Sequence, residues 1–204
     1  MMAENLAARG IKDKNEGLAE PRFRTVADFI FSGSQWKMRE LAFGEQKVVF
    51  KPGDNKENYA VKRMPEIEQW ATDIYNFVAG KYGEENIVAF YVHLDETSPH
   101  IHCVLLPIKD GKFAFKEIFA GANNREYSQR TSQLHDELAV VNEPWGLVRG
   151  TSQTETRQRH RPTEEYRKHL SEECSSKEEE LDKLNKALSD LRVEIALAIR
   201  RVKG

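Results

Sequence analysis

Three histidines and two carboxylates lie within one short stretch, HLDETSPHIH, which runs from His93 to His102. The segments on either side, residues 87–92 (IVAFYV) and 101–108 (IHCVLLPI), are rich in β-branched and aromatic residues, which predicts two strands. The polar stretch between them then forms the loop of a hairpin. Imidazoles and carboxylates are common metal ligands in proteins, so this loop and its edges form a candidate metal site.

The spacing of the histidines supports convergence on one point. Side chains alternate across a strand, so His100 and His102 share one face while Ile101 and Cys103 point to the other. If the two strands pair antiparallel, His93 at the end of the first strand reaches the same point. Three neutral imidazoles suit Zn²⁺, Mn²⁺, Co²⁺ or Ni²⁺ and leave coordination positions open for water or a substrate oxygen. The alternative is a hairpin whose histidines are ordinary surface residues.

The motif HLDETSPHIH, followed by VLLPI, resembles the signature of the Mob/Pre plasmid mobilization proteins. These are the MobV class of relaxases, also called plasmid recombination enzymes. The resemblance runs from about Thr25 to Tyr166 and includes TVADFIFSGS, KYGEENIVAFYVHLDE and GLVRGTSQTETRQRHRPTEEY. It implies an α+β fold, an antiparallel sheet with helices packed on it. It also implies an enzyme that binds single-stranded DNA at a plasmid transfer origin and nicks it, keeping a covalent link to the 5′ phosphate.

The resemblance further implies roles for the motif residues. His93, His100 and His102 hold a divalent metal, Mn²⁺ or Mg²⁺ first and Zn²⁺, Co²⁺ or Ni²⁺ as other candidates, which polarises the scissile phosphate. Glu96 positions or deprotonates the nucleophile. Asp95 orients an imidazole through its free N–H group.

One feature of the family pattern is missing from the sequence. Family members carry near the N-terminus a first motif whose histidine, or tyrosine in related groups, is the nucleophile, whereas the first histidine here is His93. The opening MMAENLAARGIKDKN looks like the segment that follows that motif, so the relaxase-like domain is expected to be N-terminally incomplete and to lack a central strand. Tyr91 lies two residues before His93 on the same strand face, and core packing is the better explanation for it.

Two other functions therefore stay open. A DNA-binding remnant would keep the metal site and bind the transfer origin without nicking it. An unrelated metal-dependent hydrolase would use metal-activated water to attack an ester. A covalent protein–DNA adduct distinguishes the relaxase from both.

Charge gives mixed evidence on DNA binding. The formal net charge is −2, whereas a protein that binds DNA without sequence preference usually has a basic excess. Basic residues nevertheless cluster between positions 149 and 169, which allows a local basic face, with a solvated connector as the alternative. The candidate phosphate contacts are Lys116, Arg149, Arg157, Arg159 and Arg161.

Hydropathy and cysteine usage predict a soluble, cytoplasmic protein. The sequence has no long apolar run, and its first ten residues lack the apolar core of a signal peptide, so no membrane span is expected. The two cysteines, Cys103 and Cys174, fall in a buried-looking strand and a polar helix. This placement argues against a disulfide and fits a reducing compartment.

Around the motif, periodicity and turn residues predict the elements that must position it. In chain order they are a strand at 25–31, a helix from Ser34 to about Ala42, a strand or extended piece at 47–51, a helix at 65–82 with Trp70 in the core, a tight turn at Asp110-Gly111, a strand at 112–115 beside Leu105 and Leu106, and a helix from Arg125 toward Val141.

Three regions follow from this pattern. Residues 1–150 form the metal-binding domain, residues 151–162 a linker, and residues 163–204 one long helix. In that helix, apolar residues alternate three and four apart, which is typical of a coiled coil. A homodimer through this helix is the hypothesis, with packing on the first domain as the alternative.

Overall fold

The computed structural model describes residues 2–50 and 56–151, together with four positions near the C-terminus, 177, 180, 184 and 188. The linker at 152–162 and the rest of the region 163–204 lie outside the described residues, as does the loop at 51–55. Residues Met1–Gly150 form one compact unit. Its elements are α1 (Met2–Ala8), β1 (Ala27–Phe31), α2 (Gln35–Phe43), α3 (Pro65–Tyr82), β2 (Ile87–His93), β3 (His100–Leu105), β4 (Ile108–Lys109), β5 (Lys112–Phe113) and α4 (Asn124–Asn142).

The main sheet has three antiparallel strands in the order β1-β3-β2, so β3 is its centre. In β3, Ile101, Cys103 and Leu105 are fully buried, while His100 and His102 are only partly covered. The sheet therefore has one core face and one open face, and the alternation predicted around the histidines is confirmed. The α+β class with helices on an antiparallel sheet is confirmed as well.

Helix α3 covers the core face. Its buried positions Ile67, Trp70, Ile74 and Val78 recur three or four residues apart, which makes one continuous apolar stripe. Trp70 is fully buried, as predicted, and its indole N–H donates to the Asn142 side chain at 2.9 Å. That bond connects α3 to the end of α4 and satisfies the polar atom that burial of a tryptophan brings into the core.

Residues 47–50, predicted as a short strand or extended piece, form no strand. Instead the side-chain amide of Asn58 accepts from the Val49 N–H at 2.9 Å and donates to the Val49 carbonyl at 2.7 Å. The Asn58 side chain thus makes the two backbone hydrogen bonds that a neighbouring strand would otherwise make with Val49. The apolar composition of residues 47–50 did not indicate this arrangement.

The turn at Asp110-Gly111 is confirmed, with both residues at positive φ as a two-residue hairpin requires. The predicted partner of the following strand is wrong. β5 pairs with β4 rather than lying beside Leu105 and Leu106. The reason is topological, because β1 and β2 already occupy both edges of β3.

The four described positions near the C-terminus are Lys177, Glu180, Leu184 and Leu188, and all four are helical. They are spaced by three and four residues, so they share one helix face, and Lys177 pairs with Glu180 at 3.2 Å. Both leucines are exposed. The coiled coil and the homodimer stay predictions. Within the described residues, no helix combines the length and apolar character needed to cross a membrane.

Candidate metal centre

The three histidines of the motif meet on the open face of the sheet. The β2–β3 register places His93 directly opposite His100, and Tyr91 opposite His102. The ring centroids form a nearly equilateral triangle, 5.0 Å from His93 to each of the other two rings and 4.9 Å between His100 and His102. The three rings lie side by side as predicted, and their binding of one shared metal stays a prediction.

The spacing of the rings fits a shared cation. For metal–nitrogen distances of about 2.1 Å, three imidazoles on one ion have centroids roughly 4.5 to 5.3 Å apart, depending on the angle between ligands. The observed separations fall inside that range. His102 is not part of the group whose ligand atoms lie within 4.8 Å of one another, which is His93, Glu96 and His100, so its ring must turn before it can bind the same ion.

Each ring also has an oxygen beside its Nδ1 atom. His100 Nδ1 lies 2.9 Å from the Ser98 carbonyl oxygen, and because a carbonyl only accepts, this contact requires the proton on Nδ1. His102 Nδ1 lies 3.8 Å from a carboxylate oxygen of Asp28, and His93 Nδ1 lies 4.0 Å from one of Asp95. Only the His100 contact is a hydrogen bond, and it favours the tautomer whose Nε2 lone pair is free for a metal, whereas the two carboxylates stand near the other rings without bonding them.

Glu96 adds a carboxylate to the same volume. Ligand atoms of His93, Glu96 and His100 all lie within 4.8 Å of one another. Glu96 is exposed, so its carboxylate remains accessible from solvent. It lies where a carboxylate could either bind the cation or accept a proton from a group that approaches the cation.

Asp28 was not identified from the sequence, because it lies on β1, far from the motif along the chain. It faces His102 because β1 pairs with β3, with Ile30 opposite His102 and Asp28 opposite Val104. The only local signal was one charged residue inside an otherwise apolar strand, ADFIF. Asp95 was expected to orient an imidazole. Its side chain is 87% exposed, compared with 57% for Asp28, so solvent screens the attraction between Asp95 and His93 more strongly than that between Asp28 and His102.

The loop that leads into His100 is held from the β1–α2 side. The Ser32 hydroxyl donates to the Pro99 carbonyl at 3.1 Å, and the Arg39 guanidinium donates to the Thr97 carbonyl at 2.8 Å. Pro99 itself is fully buried. These contacts fix the start of β3, and with it the position of His100, the first residue of that strand.

Tyr91 does not pack in the core, so that expectation is wrong. Its side chain is 51% exposed on the open face, beside the histidines. On the other side of His102, Ile30 of β1 is 64% exposed. Strand alternation correctly places Tyr91 on the face of His93, and it is this face that lacks a covering layer among the described residues.

The predicted phosphate contacts have different surroundings. Lys116 is exposed at the start of a π-helical turn, Lys116–Ala120. Arg149 is engaged with α4, since its guanidinium lies 2.5 Å from an Asp136 carboxylate oxygen and donates to the Ser132 hydroxyl at 3.1 Å. Arg157, Arg159 and Arg161 lie outside the described residues.

A cleft of about 680 Å³ runs from the start of β1 to α4 and the π-helical turn. Asp28 is among the residues that line this cleft, whereas none of the three motif histidines is. Arg24 stands over the Phe115 ring in its wall, 5.2 Å from the ring centroid. Burial and the nearby Glu137 raise the pKa of Tyr82, another lining residue, to about 12, so its hydroxyl stays protonated at neutral pH.

The sequence matches the family model described as plasmid recombination enzyme (Mob_Pre) over residues 33–168. It is 34% identical over 128 residues to plasmid recombination enzyme type 1 of Staphylococcus aureus, which covers 60% of this chain and 30% of that protein. It is 27% identical over 139 residues to a plasmid recombination enzyme of a Bacillus species, and this match covers 68% of this chain and 30% of that protein. The chain thus spans 30% of the length of each of these two relatives.

Among solved structures, the fold is similar to that of the MobM relaxase domain (MOBV; Mob_Pre) bound to 26-nucleotide oriT DNA of plasmid pMV158. The TM-score is 0.50 at 18% identity, with 80% of this chain and 78% of that chain covered. A Mn-bound crystal structure of the same domain with 22-nucleotide oriT DNA gives a TM-score of 0.41 at 16% identity, covering 82% of this chain and 92% of that one.

Proposed function

Because this chain belongs to the plasmid recombination enzyme family, we propose that it binds single-stranded DNA at a plasmid transfer origin and nicks it by metal-assisted transesterification. The proposed place of action is the cytoplasm, where plasmid DNA is found. The observation that supports this function best is the triangle of His93, His100 and His102 on the open face of the sheet, with a carbonyl oxygen hydrogen-bonded at Nδ1 of His100.

The three histidines would hold one divalent cation through their Nε2 atoms. When bound, the cation would polarise the scissile phosphate and offset the charge that develops on its oxygens. The donor set favours Mn²⁺, because imidazole nitrogens are combined with a nearby carboxylate and with phosphate oxygens from the substrate. Mg²⁺, which prefers oxygen ligands, is the second candidate, followed by Zn²⁺, Co²⁺ and Ni²⁺.

The remaining residues of the site would orient and exchange protons. The Ser98 carbonyl holds His100 in the metal-binding tautomer, and Asp28 and Asp95 would do the same for His102 and His93 if their carboxylates moved from 3.8 and 4.0 Å into hydrogen-bond range. Glu96 would accept the proton of the attacking nucleophile. A bond from the nucleophile to phosphorus forms as the bond from phosphorus to O3′ breaks, and the released O3′ takes up a proton. The 5′ phosphate stays bound to the protein.

The nucleophile is the component that the histidine triangle does not provide. One alternative function is therefore that the chain binds the origin but does not cut it. Metal-activated hydrolysis is the other alternative, since a water molecule in the open position would also attack an ester.

The test uses the full chain, Mn²⁺ and labelled single-stranded oligonucleotides that tile the DNA around its gene. A relaxase gives a DNA–protein adduct that survives boiling in detergent and disappears after protease treatment. Binding without any product identifies the non-cutting protein, and free 5′-phosphate ends identify the hydrolase. His135→Ala is the control variant, because His135 is exposed on α4 and outside the triangle.

A further inference from the structure

Two large apolar side chains flank the histidine centre on the open face of the sheet. Ile30 and Tyr91 lie opposite His102 on β1 and β2, one on each side, with exposed fractions of 64% and 51%. A sheet face that meets only water normally has polar residues there. The core of this domain lies on the other face, where Ile101 and Cys103 are fully buried. Core packing therefore does not account for either residue.

The position of Tyr91 restricts what it can meet. It is the directly opposed cross-strand neighbour of His102 on the same sheet face, and such residues have Cβ atoms about 4.5 to 5.5 Å apart. A phosphate at the histidine centre carries a sugar and a base on each side. Since Tyr91 is one cross-strand neighbour away, the base of an adjoining nucleotide falls within reach of its ring.

From this geometry we infer that Tyr91 is a stacking platform for the base of the nucleotide next to the phosphate held at His93, His100 and His102. Ile30 packs against the nucleotide on the opposite side of His102. The inference rests on the proposed function, because it assumes that the centre receives a DNA phosphate. It adds a substrate contact and predicts single-stranded substrate, since a base paired in a duplex presents no free face for stacking.

The stacking role differs from a role as nucleophile in what it needs from the side chain. Stacking uses the ring, which phenylalanine keeps. Nucleophilic attack uses the hydroxyl, which phenylalanine lacks. The two variants Tyr91→Ala and Tyr91→Phe therefore separate the roles.

Fluorescence anisotropy of the labelled single-stranded oligonucleotides that tile the DNA around the gene, with the full chain and Mn²⁺, tests the inference. Tyr91→Ala should weaken binding roughly 5- to 150-fold, the range for losing one stacked base, and Tyr91→Phe should restore most of it. The loss should stay nearly constant as salt is raised, because stacking releases no counterions. Tyr127→Ala is a matched control, since Tyr127 is also a tyrosine with 51% exposure but lies on α4.

Mn²⁺ titration of the same variants shows whether the centre is intact, and Tyr91→Ala should bind Mn²⁺ like the parent chain. If the parent binds DNA and Tyr91→Ala binds equally well, the platform is refuted and the proposed function stands. Equal losses for Tyr91→Ala and Tyr127→Ala also refute it. If the parent binds no single-stranded DNA at all, the proposed function fails and the platform fails with it.

Discussion

The Nδ1 atom of His100 lies 2.9 Å from the carbonyl oxygen of Ser98, two residues before it in the chain. Pro99 between them is buried, and its own carbonyl accepts a hydrogen bond from Ser32. The contact places the proton on Nδ1 and leaves Nε2 as an acceptor. His100 is therefore set up to bind a metal by the backbone of its own loop.

Removing one histidine of the triangle should weaken Mn²⁺ binding more than 100-fold. Loss of a group that only orients a ligand already costs about 10- to 100-fold, and loss of the ligand itself costs more. Isothermal titration of His100→Ala and of His93→Ala with Mn²⁺ measures this. His135→Ala should bind like the parent chain, and equal affinities for all variants would remove the histidines from the metal site.

Asp28→Asn should weaken Mn²⁺ binding by up to about 10-fold, since the amide lacks the negative charge that stands 3.8 Å from His102 Nδ1. Asp95→Asn should have a smaller effect, because the Asp95 side chain is 87% exposed and solvent screens its charge. The same titration compares the two. A larger effect at Asp95 than at Asp28 would contradict this ranking.

The sequence was sufficient to predict the local parts of the site. Strand alternation predicted the shared face of His100 and His102, and the hairpin brought His93 to the same place. Helical spacing predicted α3 with Trp70 in the core. Each of these depends on residues that are close in sequence, where periodicity carries the information.

The features that the sequence analysis missed or predicted wrongly depend on contacts between residues far apart in the sequence. Asp28 reaches His102 only because β1 pairs with β3, and β5 was assigned the wrong partner because the occupation of both edges of β3 is not visible locally. Tyr91 was assigned to the correct strand face, but sequence alternation does not show which of the two faces is covered.

Lys116→Gln should lower the slope of log affinity for single-stranded DNA against log salt concentration by about one, because one phosphate contact is lost. Arg149→Gln should change the slope less, since its guanidinium is already paired with Asp136. Anisotropy titrations at several salt concentrations give both slopes. A larger change for Arg149 would indicate that it leaves Asp136 to bind phosphate.

Burial raises the pKa of the Cys103 thiol to about 11, with a smaller contribution from Asp28. An unfolded cysteine has a pKa of about 8.5, so between these values the unfolded chain loses a proton that the folded chain keeps. The contribution of this thiol to stability is therefore complete below about pH 8.5 and is lost as pH rises through the folded pKa of about 11. Urea unfolding of the parent and of Cys103→Val should show a steeper decline with pH for the parent. Parallel declines would show that the thiol ionises normally in the fold.

The central claim is that His93, His100 and His102 bind one cation through their outward nitrogens. Anomalous diffraction from crystals of the full chain grown with MnCl₂ tests it most directly. The expected result is one strong manganese peak about 2 Å from the Nε2 atoms of all three rings, with its open side toward solvent. A peak held only by carboxylates, or rings that turn apart at saturating Mn²⁺ without a peak between them, would contradict the claim.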